Sequence, residues 1–127
     1  MSKILLMDDE KCILSTVSQL LEILGHKVVC ASDGEEAIRL YAEEKQAGRP
    51  FDIVMMDLTV REGMGGEQAT QRIIKSDPEA KIYLTSGYAG ELTDEDVRKI
   101  GAAGIIPKPF TAELLMESIP GGILPAK

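Results

Sequence analysis

Three carboxylates, a hydroxyl and an amine are the groups in this sequence whose placement could do chemistry. Asp8 and Asp9 follow the apolar run Lys3 to Met7, and Asp57 follows the run Asp52 to Met56. Ser86 follows Ala80 to Thr85, and Lys108 comes just after Ile105-Ile106. Taken singly each is ordinary, because chain leaving a strand is polar and solvated anyway. Arriving together, they would make a site. Three neighbouring carboxylates repel one another, so a cation must neutralise them or one must take a proton. Oxygen donors with room for water suit a hard divalent ion, Mg²⁺ above all, which keeps several waters and binds phosphate oxygens. One carboxylate could then attack phosphorus and form an aspartyl phosphate. The ammonium and the hydroxyl would meet the charge on the phosphoryl oxygens.

The elements that must bring these groups together can be read from the hydrophobic period. Lys3 to Met7 is a continuous apolar run, the mark of a strand buried on both faces. From Glu10 the period becomes helical, with Ile13, Val17, Leu20 and Leu24 on one stripe, Leu14 and Leu21 widening it, and Gly25 as the stop. Lys27 to Ala31 reads as a second strand. Ser32 or Asp33 then caps a helix carrying Ala37, Ile38, Tyr41 and Ala42, which ends before Gly48. Asp52 to Met56 is a third strand, and Gly63, Gly65 and Gly66 mark a loop before a helix through Ala69, Ile73 and Ile74. Ala80 to Thr85 is a fourth strand with Ser86-Gly87 as its turn, and Thr93 opens a short acidic helix. Ile105-Ile106 is a fifth strand, Pro107-Lys108-Pro109 a rigid turn, and a last helix runs from Thr111 to near Pro120.

Strands and helices in strict alternation predict a doubly wound α/β fold with a parallel sheet. In such sheets ligands bind beyond the carboxyl ends of the strands, near the switch in strand order. All of the candidate groups lie at those ends.

Composition removes other classes. At 127 residues, 44% hydrophobic and 28% charged, the chain suits one globular domain. Acidic residues number 21 against 14 basic, a net charge of -7, which opposes nucleic-acid binding. No apolar run approaches a membrane span and no signal-peptide pattern opens the chain, so a cytoplasmic protein without membrane insertion is expected. Cys12 and Cys30 match no metal or redox motif and read as buried small hydrophobes. His26 reads as a solvated turn residue. The Met residues from Met55 onward read as core or loop fillers. No Gly-x-Gly-x-x-Gly follows the first strand, which argues against a dinucleotide site.

Asp8-Asp9-Glu10, Asp57 after Val54-Met55-Met56, Ser86-Gly87 and Lys108-Pro109-Phe110, in this order, resemble the receiver domain of two-component response regulators. The segment from Asp57 to Gly66 looks most like receivers of hybrid sensor histidine kinases. The resemblance covers residues 1–120, leaving 121–127 as a short tail, and implies a five-stranded flavodoxin-like sheet in the order 2-1-3-4-5. It implies that Asp57 accepts a phosphoryl group from a histidine of a sensor kinase or a histidine phosphotransfer domain. Asp9, Asp57 and the backbone carbonyl of Thr59 would hold Mg²⁺, with Asp8 acting through metal-bound water. Lys108 would pair with the phosphoryl group, and Ser86 would hydrogen-bond it as a switch. A cis Lys108–Pro109 peptide is implied, and Thr59 and Tyr88 would flank the water that removes the phosphoryl group slowly. A homodimer is a further option.

Two positions depart from the pattern. Many receivers carry Pro four residues after the phosphorylated Asp, where this chain has Arg61; the aromatic switch position is Ile105. They keep a pseudo-receiver, a binding module without phosphorylation, as an alternative. An aspartyl-phosphate phosphatase is the other. It would need an acid/base two residues after the nucleophile, and Thr59 stands there, so the chain is expected to catalyse its own modification and not to be an enzyme.

Overall fold

The computed structural model describes residues 2–87 and 92–108. The predicted helix from Thr111, the tail 121–127, Tyr88 and the Lys108–Pro109 peptide lie outside the described residues.

The described chain alternates strand and helix as the period predicts: β1 (Lys3–Met7), α1 (Lys11–Ile23), β2 (Lys27–Ala31), α2 (Gly34–Gln46), β3 (Ile53–Asp57), α3 (Gly66–Ser76), β4 (Ile82–Ser86), α4 (Asp94–Ile100) and β5 (Gly104–Pro107). All pairings are parallel, and the sheet order is β2-β1-β3-β4-β5. This is the predicted flavodoxin-like order 2-1-3-4-5. It puts β1 and β3 side by side in the middle, with Met7 opposite Met56. The residues at the carboxyl ends of these two strands are therefore neighbours, and they include all three candidate carboxylates.

Strand parity divides the core. Leu5, Met7, Val54, Met56, Ile82 and Leu84 pack with Ala37 and Tyr41 of α2, Ala69 and Ile73 of α3, and Val97 and Ile100 of α4. Ile4, Leu6, Ile53, Met55, Tyr83 and Ile106 face the other way, onto Val17 and Leu21 of α1. Fully burying one such side chain stabilises the fold by about 1.5–3 kcal/mol, so a one-residue slip of β1 or β3 would exchange both cores at once. Register is thereby held firmly at the strand ends that carry the site.

The helix ends follow local chemistry. Asp33 caps α2 by accepting the Glu36 N–H at 2.9 Å. Thr93 and Asp96 form a reciprocal capping box at α4, which ends on Gly101 at φ +98°. For α1 the acids Asp8 and Asp9 stand in the sequence where a side chain could cap the helix, yet Glu10 occupies the cap position without a side-chain bond. Asp8 instead accepts the Glu10 N–H at 2.9 Å, just ahead of the helix.

Asp57 and Ser86 are the last residues of β3 and β4, at the strand ends where the sequence puts them, so their backbones are fixed by the sheet. Two further expectations differ from the structure. His26 is buried, because the turn after α1 folds it over the start of β1, where its Nδ1 accepts the Ser2 N–H at 3.0 Å. Cys12 and Cys30 are exposed. Cys12 lies off the apolar stripe of α1, and Cys30 lies on β2, an edge strand whose outer row is incompletely covered.

Candidate functional site

Each candidate residue is delivered by the end of a strand. Asp8 and Asp9 leave β1, Asp57 ends β3, Ser86 ends β4, and Lys108 directly follows β5. The last link is tied across the sheet edge: the Lys108 N–H donates to the Ser86 carbonyl at 2.7 Å. Asp8, Asp57 and Ser86 are all buried, at 1%, 3% and 2% exposure, which is rare for carboxylates unless they are paired.

The pairing partner is Lys108. Its Nζ donates to Oδ2 of Asp8 at 2.7 Å and to Oδ1 of Asp57 at 3.1 Å. Burial alone would lower the lysine's pKa, but the hydrogen bonds and charges of the two carboxylates outweigh it and hold the ammonium above its ordinary value. For Asp57 the balance tips the other way. Burial, then the neighbouring Asp8 charge, raise its pKa from 3.8 to about 6, against the opposing pull of Lys108 and the Thr59 N–H. Asp57 is thus the strained member of the group, ionised at neutral pH yet poorly compensated.

One oxygen each from Asp8, Asp9 and Asp57 lie within 4.8 Å of one another. Three carboxylates against one ammonium leave an excess of two negative charges, which one divalent cation would match. The donors are all oxygen, and Asp9 is half-exposed, so water can reach the cluster. The residues therefore fit Mg²⁺ in charge, donor type and access. Thr59 is placed beside them, its N–H 3.4 Å from Oδ1 of Asp57.

Two supporting features escaped the sequence reading. Gly66 opens α3 against the end of β3, and a Cβ there would collide with the Asp57 carbonyl oxygen and lie 2.9 Å from its carbon. The glycine run signalled a loop, but the close backbone approach it permits depends on how α3 docks. The second feature is a backbone contact: the Arg61 N–H donates to Oδ2 of Asp9 at 3.0 Å. Ile105 is half-buried against the α2–α4 core, in line with its apolar type.

A family described as the response regulator receiver domain matches residues 4–120. The chain belongs to this family. This receiver is 32% identical over 120 residues to the chemotaxis protein CheY of Listeria monocytogenes, covering 94% of this chain and 96% of that protein. It is 29% identical to the CAI-1 autoinducer sensor kinase/phosphatase CqsS of Vibrio cholerae, across 92% of this chain and 17% of that protein. The likeness to receivers carried by sensor kinases thus has a counterpart, alongside a nearly end-to-end likeness to a single-domain regulator. Among solved structures, a response regulator receiver domain protein from Clostridium thermocellum superposes with a TM-score of 0.83 at 30% identity, covering 97% of this chain and 94% of that one. The response regulator TrrA of Thermotoga maritima, solved with Mg²⁺–BeF, gives 0.76 at 28% identity, covering 93% and 96%. The receiver domain is the phosphoacceptor module of two-component signalling. No helix among the described residues is long and apolar enough to cross a membrane.

Proposed function

We propose that Asp57 is the phosphoacceptor of this receiver and that Asp8, Asp9 and Asp57, with the Thr59 carbonyl, hold Mg²⁺ beside it. The observation that supports this most is the pairing of Asp57 with Lys108 inside a buried cluster that still carries two uncompensated negative charges. A bound Mg²⁺ would supply that missing charge and offset the repulsion between Asp57 and an incoming dianion. In the transfer, an Asp57 carboxylate oxygen forms a bond to phosphorus as the bond from phosphorus to a phosphohistidine nitrogen breaks. The departing imidazole keeps the electron pair and takes a proton from solvent. Lys108, now held by Asp8 and Asp57, needs a small rotation to follow the phosphoryl oxygens. Ser86, buried at the end of β4, would donate its hydroxyl to them.

The donor is a sensor histidine kinase or a histidine phosphotransfer domain, met in the cytoplasm, and the domain turns over no separate substrate. Support for that last point is Thr59, which places no carboxylate where a phosphatase needs its acid. Intact-mass measurement after treatment with acetyl phosphate and Mg²⁺ should show one added phosphate, absent in Asp57→Asn and in chelator. Equal labelling of the variant, or labelling without the ion, would overturn the assignment.

A further inference from the structure

Each carboxylate of the cluster is held by nitrogen donors. Asp8 takes the Lys108 ammonium and the Glu10 N–H, and Asp57 takes Lys108 and the Thr59 N–H. For Asp9, the half-exposed member, the donor is the backbone N–H of Arg61, 3.0 Å from Oδ2 and 52 residues away in sequence. That N–H sits in the loop between β3 and α3, which is anchored at its far end where the Gly34 N–H donates to the Met64 carbonyl at 2.8 Å. Met64 itself is buried. The loop is therefore placed by the packing of α2 and α3, and it presents the Arg61 N–H to Asp9 ready-made.

A carboxylate on a surface loop must give up rotamer freedom to bind a cation. A donor on one of its oxygens fixes the rotamer in advance and leaves lone pairs of the group for the ion. Every residue type except proline could supply this N–H.

We propose that the Arg61 N–H is a positioning group for Asp9, holding its carboxylate toward Asp8 and Asp57 and so strengthening the cluster's affinity for a divalent cation. This rests on the reading of the three carboxylates as a cation site. The exposed Arg61 side chain adds a positive charge nearby, so the backbone effect is isolated by comparing Arg61→Pro with Arg61→Ala, which removes the charge but keeps the N–H.

Mg²⁺ affinity is measured by calorimetry on the wild type and both variants, with urea midpoints taken in chelator. Arg61→Ala should bind within about threefold of the wild type, and Arg61→Pro about tenfold more weakly than Arg61→Ala, the low end of what losing a ligand's outer partner costs. The urea midpoints of the two variants should agree. Equal or tighter binding by Arg61→Pro overturns the proposal, as does a loss of affinity that merely tracks a loss of stability. If Arg61→Pro does not fold, the wild-type Arg61 amide decides the matter by NMR. It should exchange slowly with solvent, lose that protection in Asp9→Ala, and keep it in the wild type at saturating Mg²⁺. Loss of protection at saturation would mean that the ion displaces the N–H, and the proposal fails. A wild type with no Mg²⁺ affinity would remove the cation-site reading itself, whereas normal wild-type binding with indifferent variants removes this inference alone.

Discussion

Asp57→Asn should make the protein more stable, and more so as pH rises. In the unfolded chain Asp57 titrates near its ordinary 3.8, while burial and the Asp8 charge raise it to about 6 in the folded state. Between those values the folded protein holds a proton that the unfolded chain has lost. Stability therefore falls as pH rises through this window, and the full cost is present above about pH 6. At about 1.4 kcal/mol per pH unit, the gap corresponds to roughly 3 kcal/mol. Asp57 is 3% exposed, so solvent screens little of it. Asn resembles the protonated acid: its oxygen can still accept from Lys108 and the Thr59 N–H, and its amide can donate to Asp8. Urea denaturation in chelator, at several pH values from about 4 to about 8, gives the two stabilities by linear extrapolation. The variant should gain little near pH 4 and about 2–3 kcal/mol near pH 7. Adding Mg²⁺ should stabilise the wild type alone, by about 2.7 kcal/mol at a hundredfold excess over its dissociation constant. Parallel pH curves for the two proteins, or a variant less stable than the wild type near pH 7, would refute the argument that burial of an under-compensated charge strains this fold.

Lys108→Met should do the opposite, costing about 3 kcal/mol near pH 7 in urea melts, because it strands two buried carboxylates without their ammonium. Gly66→Ala should lower stability by about 1–3 kcal/mol and slow labelling of Asp57 by acetyl phosphate, since the added methyl drives α3 away from the end of β3. A thermal melt and a labelling time course check both effects together. Thr70→Val should raise stability by about 1 kcal/mol: the Thr70 hydroxyl is fully buried without a hydrogen-bond partner among the described residues, and Val keeps the shape while removing the polar atom.

Much of this molecule was written locally. Apolar runs and the change to a helical period are properties of neighbouring residues, so the alternation of strands and helices, and the position of Asp8, Asp9, Asp57, Ser86 and Lys108 near strand ends, could be read before any folding. The glycine stops after α1 and α4 and the capping residues Asp33 and Thr93 belong to the same class. What needed the tertiary structure is everything that depends on which strand lies beside which. Placing β3 between β1 and β4 is what buries Asp57 against Asp8 and raises its pKa, and the pairing of β5 with β4 is what carries the Lys108 ammonium onto both. The close approach of Gly66 to β3 and the reach of the Arg61 N–H to Asp9 leave no mark in residue type, because a backbone group is the same at nearly every position. His26 and Cys30 went the other way from their local pattern for the same reason. A turn residue is buried when a neighbouring strand starts beneath it, and an apolar-strand residue stays exposed when its strand ends the sheet. Local sequence sets the order of elements, and burial is decided by their arrangement in space.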